Sequence, residues 1–263
     1  MRVTVLGKSP SWQDAGGACT GYLVEDGDTS VLVDCGNGVF AKLRGVRDYT
    51  STDAIVVSHM HSDHFFDLIP YAFALSYAPR QQPVPIARWK GVDPPPRPLL
   101  YLPPGGLAVI NRIVDAIDVP DLIENAFDVS EYDPNAQLAV GSLELNFQAV
   151  PHYVPTWAIG LRDAANKRFV FGADFRPNDE IVGFAKDADL LAIESTLPRP
   201  ERDGDRGHLT PSEAGDHGRR AAAKQLLLTH ISDELDPLWA KSEAETAFGG
   251  SVGVAAEGSV YVL

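Results

Sequence analysis

Cysteine is scarce in this 263-residue chain: Cys19 and Cys35 are the only two. Two thiols cannot build a disulfide framework, so a reducing compartment, the cytoplasm, is the expected location. Basic residues are also in deficit, with 22 Lys and Arg against 36 Asp and Glu and a formal net charge of −14. Nucleic-acid coats bind through Lys and Arg that displace counterions, and this balance opposes nucleic acid as a partner. No apolar run approaches the roughly 20 residues that span a bilayer, so no membrane helix is expected. The opening segment MRVTVLGKSP has neither the apolar stretch nor the cleavage site of a signal peptide. What remains is ordinary globular composition, 44% hydrophobic and 22% charged, enough to build a core.

Short β-rich runs alternate with helical patterns, with no repeat and no linker, so one α/β domain over residues 1–263 is expected. Strands are predicted at 3–6, 21–24 and 30–34, the last two joined by a turn at Asp26-Gly27. A buried strand follows at 54–58 (AIVVS), a hairpin within 138–150, and further strands at 157–161, 168–172, 190–194, 225–229 and 259–263. Helices are predicted at 38–46, 65–77, 108–118 and near 179–186. The one at 65–77 is apolar nearly all round and contains Pro70, which should kink or break it. Thr210-Pro211-Ser212-Glu213 reads as a helix start, with Thr210 as N-cap and Glu213 closing a capping box. Residues 79–104 hold nine of the chain's 20 prolines, so an irregular Pro-rich loop is expected at about 79–107. Its Arg80, Arg88, Trp89, Lys90 and Arg97 suit either a lid or a plain surface connection.

Five of the seven histidines stand at the ends of apolar, strand-like runs. AIVVS ends in His59-Met60-His61-Ser62-Asp63-His64, LELNFQAVP in His152, and QLLLT in His230; Asp174 follows RFVFGA in the same manner. Strand ends hold side chains rigidly at the rim of a sheet, where open α/β sheets place their sites. Residues 59 and 61 point to one side if the extended geometry continues, and a turn after His61 would swing Asp63 and His64 beside them. Imidazole and carboxylate are ligand types for zinc, and in a related geometry for manganese or iron. Four such residues within six positions form a costly buried cluster unless something compensates their polarity.

HMHSDH matches the HxHxDH signature of the metallo-β-lactamase superfamily, and the later His, Asp and His fall in that family's order. The chain resembles that superfamily from VLG at 5–7 to LLLTHIS at 226–232. The resemblance implies a four-layer αββα sandwich with two divalent metal ions, zinc foremost, at one edge. Carried over residue by residue, it implies that His59, His61 and His152 bind one metal and Asp63, His64 and His230 the other, with Asp174 bridging. Asp34 takes the family's early Asp position, where it braces the histidine loop, or is simply a turn residue beside two glycines. Within the superfamily the chain is most similar to the tRNase Z-like phosphodiesterase branch, through Glu194 in LLAIEST and His208 in HLTPSEAG. That similarity implies catalytic roles for Asp63, His208 and Glu194, the last two as a pair whose His protonates the leaving oxygen. From the residues alone, His208 also fits a charged surface loop and Glu194 a carboxylate bound to nearby backbone. His217, inside the capped helix, matches no motif and should be exposed.

Two departures from the family pattern narrow the substrate. Only 21 residues separate His152 from Asp174, which leaves no room for the basic arm that tRNA-processing members insert there. The motif around Asp174 reads Gly-Ala-Asp-Phe, where the family usually has Gly-Asp-Thr. An arm-less member resembles bacterial phosphodiesterases that hydrolyse cyclic nucleotides and other small phosphodiesters with a metal-held hydroxide. A small-molecule phosphodiester is therefore the first expected substrate, with Arg176 or the Pro-rich loop's basic residues as phosphate contacts. Carboxylic ester, lactone or thioester hydrolysis on the same metals is the second expectation, and tRNA 3′-end processing the third. A non-enzymatic protein that keeps the ligands as a fold staple is disfavoured, because every ligand position is filled. A homodimer is implied by the resemblance only.

Overall fold

The computed structural model describes residues 1–78, 96–201 and 204–263. Most of the expected Pro-rich loop, with Arg80, Arg88, Trp89 and Lys90, lies outside the described residues. One sheet contains β1 (Arg2–Gly7), β2 (Gly21–Asp26), β3 (Thr29–Val33), β4 (Ala54–Val56), β5 (Leu99–Leu102), β6 (Asp128–Glu131) and β14 (Val260–Val262), in the order β14-β1-β2-β3-β4-β5-β6. The other contains β7 (Leu138–Val140), β8 (Leu143–Val150), β9 (Thr156–Arg162), β10 (Arg168–Phe171), β11 (Leu190–Glu194), β12 (Leu226–Thr229) and β13 (Val252–Val254), in the order β13-β12-β11-β10-β9-β8-β7.

Alternation along the strands decides the layers. On β3, Val31 and Val33 join one buried cluster and Leu32 the opposite one; on β10, Phe169 and Phe171 share the cluster of Val31, while Val170 faces away. Neighbouring residues of a strand point to opposite faces, so both faces of each sheet carry apolar side chains and both need cover. The sheets bury one face against each other through Tyr22, Val33, Phe147, Phe169 and Leu227. The outer face of the first sheet is covered by α1 (Val39–Val46), α3 (Leu68–Tyr77), α4 (Gly106–Ala116) and α5 (Leu122–Ala126). That of the second is covered by α6 (Glu180–Phe184), α7 (Pro211–Arg220) and α8 (Pro237–Phe248). The result is the expected four-layer αββα sandwich. Among the described residues no helix is long and apolar enough to cross a membrane.

Some local expectations are corrected. The helix expected over 65–77 breaks at Phe66-Asp67: α2 (Ser62–Phe65) ends there and α3 begins at Leu68. Pro70 therefore lies in the first turn of α3, where a missing N–H leaves no hydrogen bond unmade. The stretch expected to be irregular as far as 107 contains β5 and the start of α4. Leu100 and Leu102 are buried, β5 pairs in parallel with β4 and β6, and Pro98 and Pro103 flank the strand without interrupting it. Arg97 is committed to structure, its guanidinium donating to the carbonyls of Glu124 at 2.6 Å and Phe127 at 2.8 Å. β6, β13, α5 and α8 have no counterpart among the predicted elements. The polar Asp-Val-Ser-Glu of β6 carries no strand signal. For α8 the signals exist: Asp236 caps the N–H groups of Leu238 and Trp239, Pro237 opens the helix, and Gly249 closes it at φ 80°.

Strand direction gathers the chemistry at one edge. β3 and β4 run parallel, as do β10, β11 and β12, and β8 runs the same way as β10 because both are antiparallel to β9. The C-terminal ends of these six strands deliver Asp34, His59, His152, Asp174, Glu194 and His230.

Candidate metal centre

Among the described residues, side chains converge beyond those strand ends in four overlapping groups, two of which share no residue with each other and make no use of His208. His59, His61 and His152 form one, and Asp63, His64, Asp174 and His230 the other; within each group the potential ligand atoms lie within 4.8 Å of one another. His61 Nδ1 is 3.2 Å from both His59 Nε2 and His152 Nε2. His230 Nε2 lies 3.1 Å from Asp63 Oδ2 and 3.2 Å from Asp174 Oδ2, and His64 Nε2 lies 3.4 Å from each of these oxygens. Asp174 Oδ2 also stands 3.9 Å from His59 Nε2 and from His152 Nε2, so it sits between the two groups.

The backbone at the rim is bent to reach this arrangement. Asp34 (φ 57°), Ala173 (φ 57°) and His230 (φ 50°) adopt the left-handed conformation just past their strands. Non-glycine residues persist there only where the surroundings over-determine them, and such places cluster at functional sites. Gly36 presses the loop after β3 onto α2, since a Cβ there would fall 1.8 Å from the carbonyl oxygen of Asp63. The same contact lets the Cys35 N–H donate to His64 O at 2.7 Å.

Hydrogen bonds on the far side of each ring decide which nitrogen is left for the centre. A carboxylate only accepts, so His64 Nδ1 donates to Asp34 Oδ2 at 2.6 Å and Nε2 faces inward. Ser58 Oγ donates to Asp34 Oδ2 at 2.8 Å and so accepts from His59 Nδ1 at 3.1 Å. Thr196 Oγ1 donates to Glu194 Oε2 at 2.8 Å and accepts from His230 Nδ1 at 2.7 Å. His152 Nδ1 donates to Gly207 O at 2.9 Å. Four imidazoles thus turn an Nε2 toward the centre, the arrangement by which outer hydrogen bonds orient metal-binding histidines. Within the first group two Nε2 acceptors face His61 Nδ1, which has one proton at most to offer. Among the described residues, His64 Nε2 and Asp174 Oδ1 are buried with no hydrogen-bond partner. Lone pairs and carboxylates gathered in a dry place call for a cation. Tetrahedral zinc bound at about 2.0–2.1 Å holds its nitrogens about 3.3 Å apart, close to the 3.2 Å separations in the first group. The donor set fits divalent ions of the zinc, manganese and iron kind.

Electrostatics favours the same use. Burial and the nearby charge of His64 hold His59 well below the usual imidazole range; burial, as the largest cause, also lowers His61 and takes His152 down to about 4. Burial opposes charge on Asp63 and Asp174, but His64 and His230 outweigh it and hold both carboxyls below their usual range. Burial likewise disfavours a charged His64, yet Asp174, Asp63 and Asp34 hold it well above its ordinary value. Without a cation this imidazole itself carries the positive charge the carboxylates call for, and a metal would take the place of its Nε2 proton. The first group therefore stays neutral with its lone pairs free, and the carboxylates of the second stay ionised.

Glu194 and His208 stand beside this centre. Glu194 is wholly buried and accepts from Phe175 N (2.9 Å), Leu209 N (3.1 Å), Thr196 Oγ1 (2.8 Å) and His208 Nδ1 (3.1 Å). Both readings open from the sequence hold at once: it binds nearby backbone and it pairs with His208. The His208 ring stacks on that of His230 at 5.3 Å, and its Nδ1 lies 4.0 Å from Asp174 Oδ2. Burial disfavours charge on His208, but Glu194 outweighs it and raises the imidazole to about 9. Its acid form is present below that value and lost as pH rises through it. Glu194→Gln removes the raising charge and should move the pKa toward the ordinary value of about 6.5. The alkaline limb of any activity that uses this proton should then shift to lower pH. A pH–rate profile whose alkaline limb stays in place in the variant would count against the pairing.

His217 is buried, 3% exposed, against the expectation from sequence. Its Nδ1 lies 2.7 Å from Glu213 O and its Nε2 3.1 Å from Asn178 O, which ties α7 to the loop beyond Asp174. Ala214, His217 and Gly218 are all buried, and their three-to-four spacing on one helix face was the available signal. Arg176, at the start of that loop, is exposed.

The Beta-lactamase superfamily domain profile matches residues 29–231. The probable metallo-hydrolase YhfI of Bacillus subtilis (strain 168) is 31% identical over 266 residues, covering 99% of each chain. Its crystal structure superposes with a TM-score of 0.83 at 28% identity, over 99% of this chain and 98% of that one. The ribonuclease Z of Natronomonas pharaonis is 26% identical over 98% of this chain and 96% of its own. The short form of human tRNase Z shares the fold, with a TM-score of 0.73 at 19% identity over 100% of this chain and 99% of that one.

Proposed function

Because this chain belongs to the metallo-β-lactamase superfamily, in its tRNase Z-like branch, and is a metallo-hydrolase, we propose that it cleaves small phosphodiesters such as 3′,5′-cyclic nucleotides. In this reading His59, His61 and His152 hold one ion, Asp63, His64 and His230 the other, and Asp174 serves both. When bound, such ions lower the pKa of a water and neutralise charge on the phosphoryl oxygens. The chain's own groups do the rest. His208 holds a proton on Nε2, Glu194 anchors its Nδ1 and sustains its charge, and the ring gives that proton to the departing alkoxide.

The observation that carries the reading is the Glu194–His208 pair, 3.1 Å long, at the border of the donor cluster. A phosphodiester with an alkoxide leaving group needs such an acid, whereas an activated acyl group needs it less. Small substrates are supported by the short interval between His152 and Asp174, which β9, β10 and their connecting turns occupy. The formal charge of −14 argues in the same direction against a polyanionic RNA.

Turnover of bis(p-nitrophenyl) phosphate and of cyclic nucleotides by zinc- or manganese-loaded protein tests the proposal. His208→Ala should slow cleavage of a cyclic nucleotide by about 10²–10⁴-fold, and that of bis(p-nitrophenyl) phosphate, with its good leaving group, much less. Equal losses on the two substrates would remove His208 from the acid role. Hydrolysis of p-nitrophenyl esters or lactones without turnover of any phosphodiester would overturn the reading in favour of acyl substrates.

A further inference from the structure

Tyr153 follows His152 directly in the chain and is 49% exposed. Its ring is nonetheless held in place. Gly207 packs on one face of the ring at its Cε2–Cζ side, where a Cβ would fall 2.2, 2.4 and 2.8 Å from Cε2, Cζ and Cδ2, so only glycine permits the approach and the opposite face is the one left for a partner. The ring centroid is 4.9 Å from that of His152 and 6.0 Å from that of His208. Gly207 O accepts the His152 hydrogen bond at 2.9 Å, so one glycine seats both the histidine and the tyrosine. The phenol oxygen reaches Glu201 only at 3.4 and 3.5 Å, long for a hydrogen bond, and the packing of the ring is the tighter restraint.

A large flat ring that is half in water contributes little to the core. Placed at the rim of the ligand and acid groups and already ordered, it offers a π-face to a planar group at small entropic cost. We propose that Tyr153 is a stacking platform for the nucleobase of the substrate, with the phosphate directed to the cluster formed by His61, His152 and Asp174. The proposal rests on the phosphodiesterase reading and names its substrate class as nucleotides. Stacking on a single ring reads the π-face and not the base edges, so discrimination among bases should follow stacking strength.

Adenosine 5′-monophosphate and ribose 5-phosphate share sugar and phosphate and differ by the base. Calorimetric dissociation constants for both, on zinc-loaded protein, isolate the contribution of the ring. Wild-type protein should prefer adenosine 5′-monophosphate by about 5- to 150-fold, the range for stacking one base on an aromatic side chain. Tyr153→Leu should bring the ratio near one, and Tyr153→Phe should retain most of it. A ratio that survives the leucine substitution, or a wild-type ratio near one, overturns the platform. So does a phenylalanine variant that loses as much as the leucine variant, because the effect would then belong to the hydroxyl and Glu201. Wild-type protein that binds neither compound defeats the phosphodiesterase reading and the platform with it, whereas equal binding defeats the platform alone.

Discussion

Asp174→Ala is expected to lose bound metal and turnover together, by more than the roughly 10- to 100-fold typical of residues that only orient ligands. The reason is position. Asp174 Oδ2 stands 3.2 Å from His230 Nε2, 3.4 Å from His64 Nε2, and 3.9 Å from both His59 Nε2 and His152 Nε2. No other carboxylate in the cluster approaches nitrogens of both groups this closely. Its removal takes the shared negative charge from between them and leaves two nests of imidazole with no common counter-charge. Asp174→Asn keeps the shape and discards the charge, so it should fail nearly as badly if charge is what matters. Metal content by atomic absorption and turnover on the same preparation check this. A variant that keeps full metal occupancy and a tenth or more of the rate would show that Asp174 is dispensable.

Asp34→Ala should produce the largest loss of stability. Asp34 is wholly buried and accepts from Ser58 N at 2.7 Å, Ser58 Oγ at 2.8 Å and His64 Nδ1 at 2.6 Å. Alanine leaves all three donors unpartnered in a dry place. It also puts a residue without local hydrogen-bonding capacity at φ 57°, a conformation that Asp and Asn tolerate better than Ala. Breaking a buried charged pair from one side costs about 3–5 kcal/mol, a large share of the roughly 5–15 kcal/mol that holds a domain folded. Metal affinity should fall by about 10- to 100-fold as well, because His64 loses the bond that fixes its tautomer and ring. Asp34→Asn keeps the backbone tolerance and should lose less. Urea unfolding of metal-free protein measures the first effect and metal titration the second; a loss below about 1 kcal/mol would mean that Asp34 does not brace the cluster.

Much of this centre is local in origin, which is why it could be read from the chain. HMHSDH sits between the end of β4 and the first turn of α2, and a strand end followed by a tight turn suffices to bunch its four ligand-type side chains. His152, Asp174 and His230 were visible for the same reason, each standing just past an apolar run. The Thr210 capping box is equally local: Thr210 Oγ1 accepts from Glu213 N at 3.3 Å, and Glu213 accepts from Thr210 N at 2.9 Å.

Other features depend on partners far along the chain. His61 meets His152 across 91 residues and Asp63 meets His230 across 167. Asp34 reaches the histidine loop through the parallel pairing of β3 with β4, which sets Asp34 N on Val56 O at 2.9 Å and brings its carboxylate to Ser58. The prolines around β5 concealed a strand because its hydrogen bonds come from β4 and β6 and nothing within 99–102 announces them. His217 became a buried strut through the packing of α7, and the nitrogen each histidine offers was chosen by Asp34, Ser58, Thr196 and Gly207. Residue types, periodicity and capping act over a few positions, so the sequence by itself determined which groups stand at strand ends and what chemistry they can perform. Burial, tautomer and the meeting of lone pairs depend on groups brought together from across the chain, and only the tertiary structure decided those.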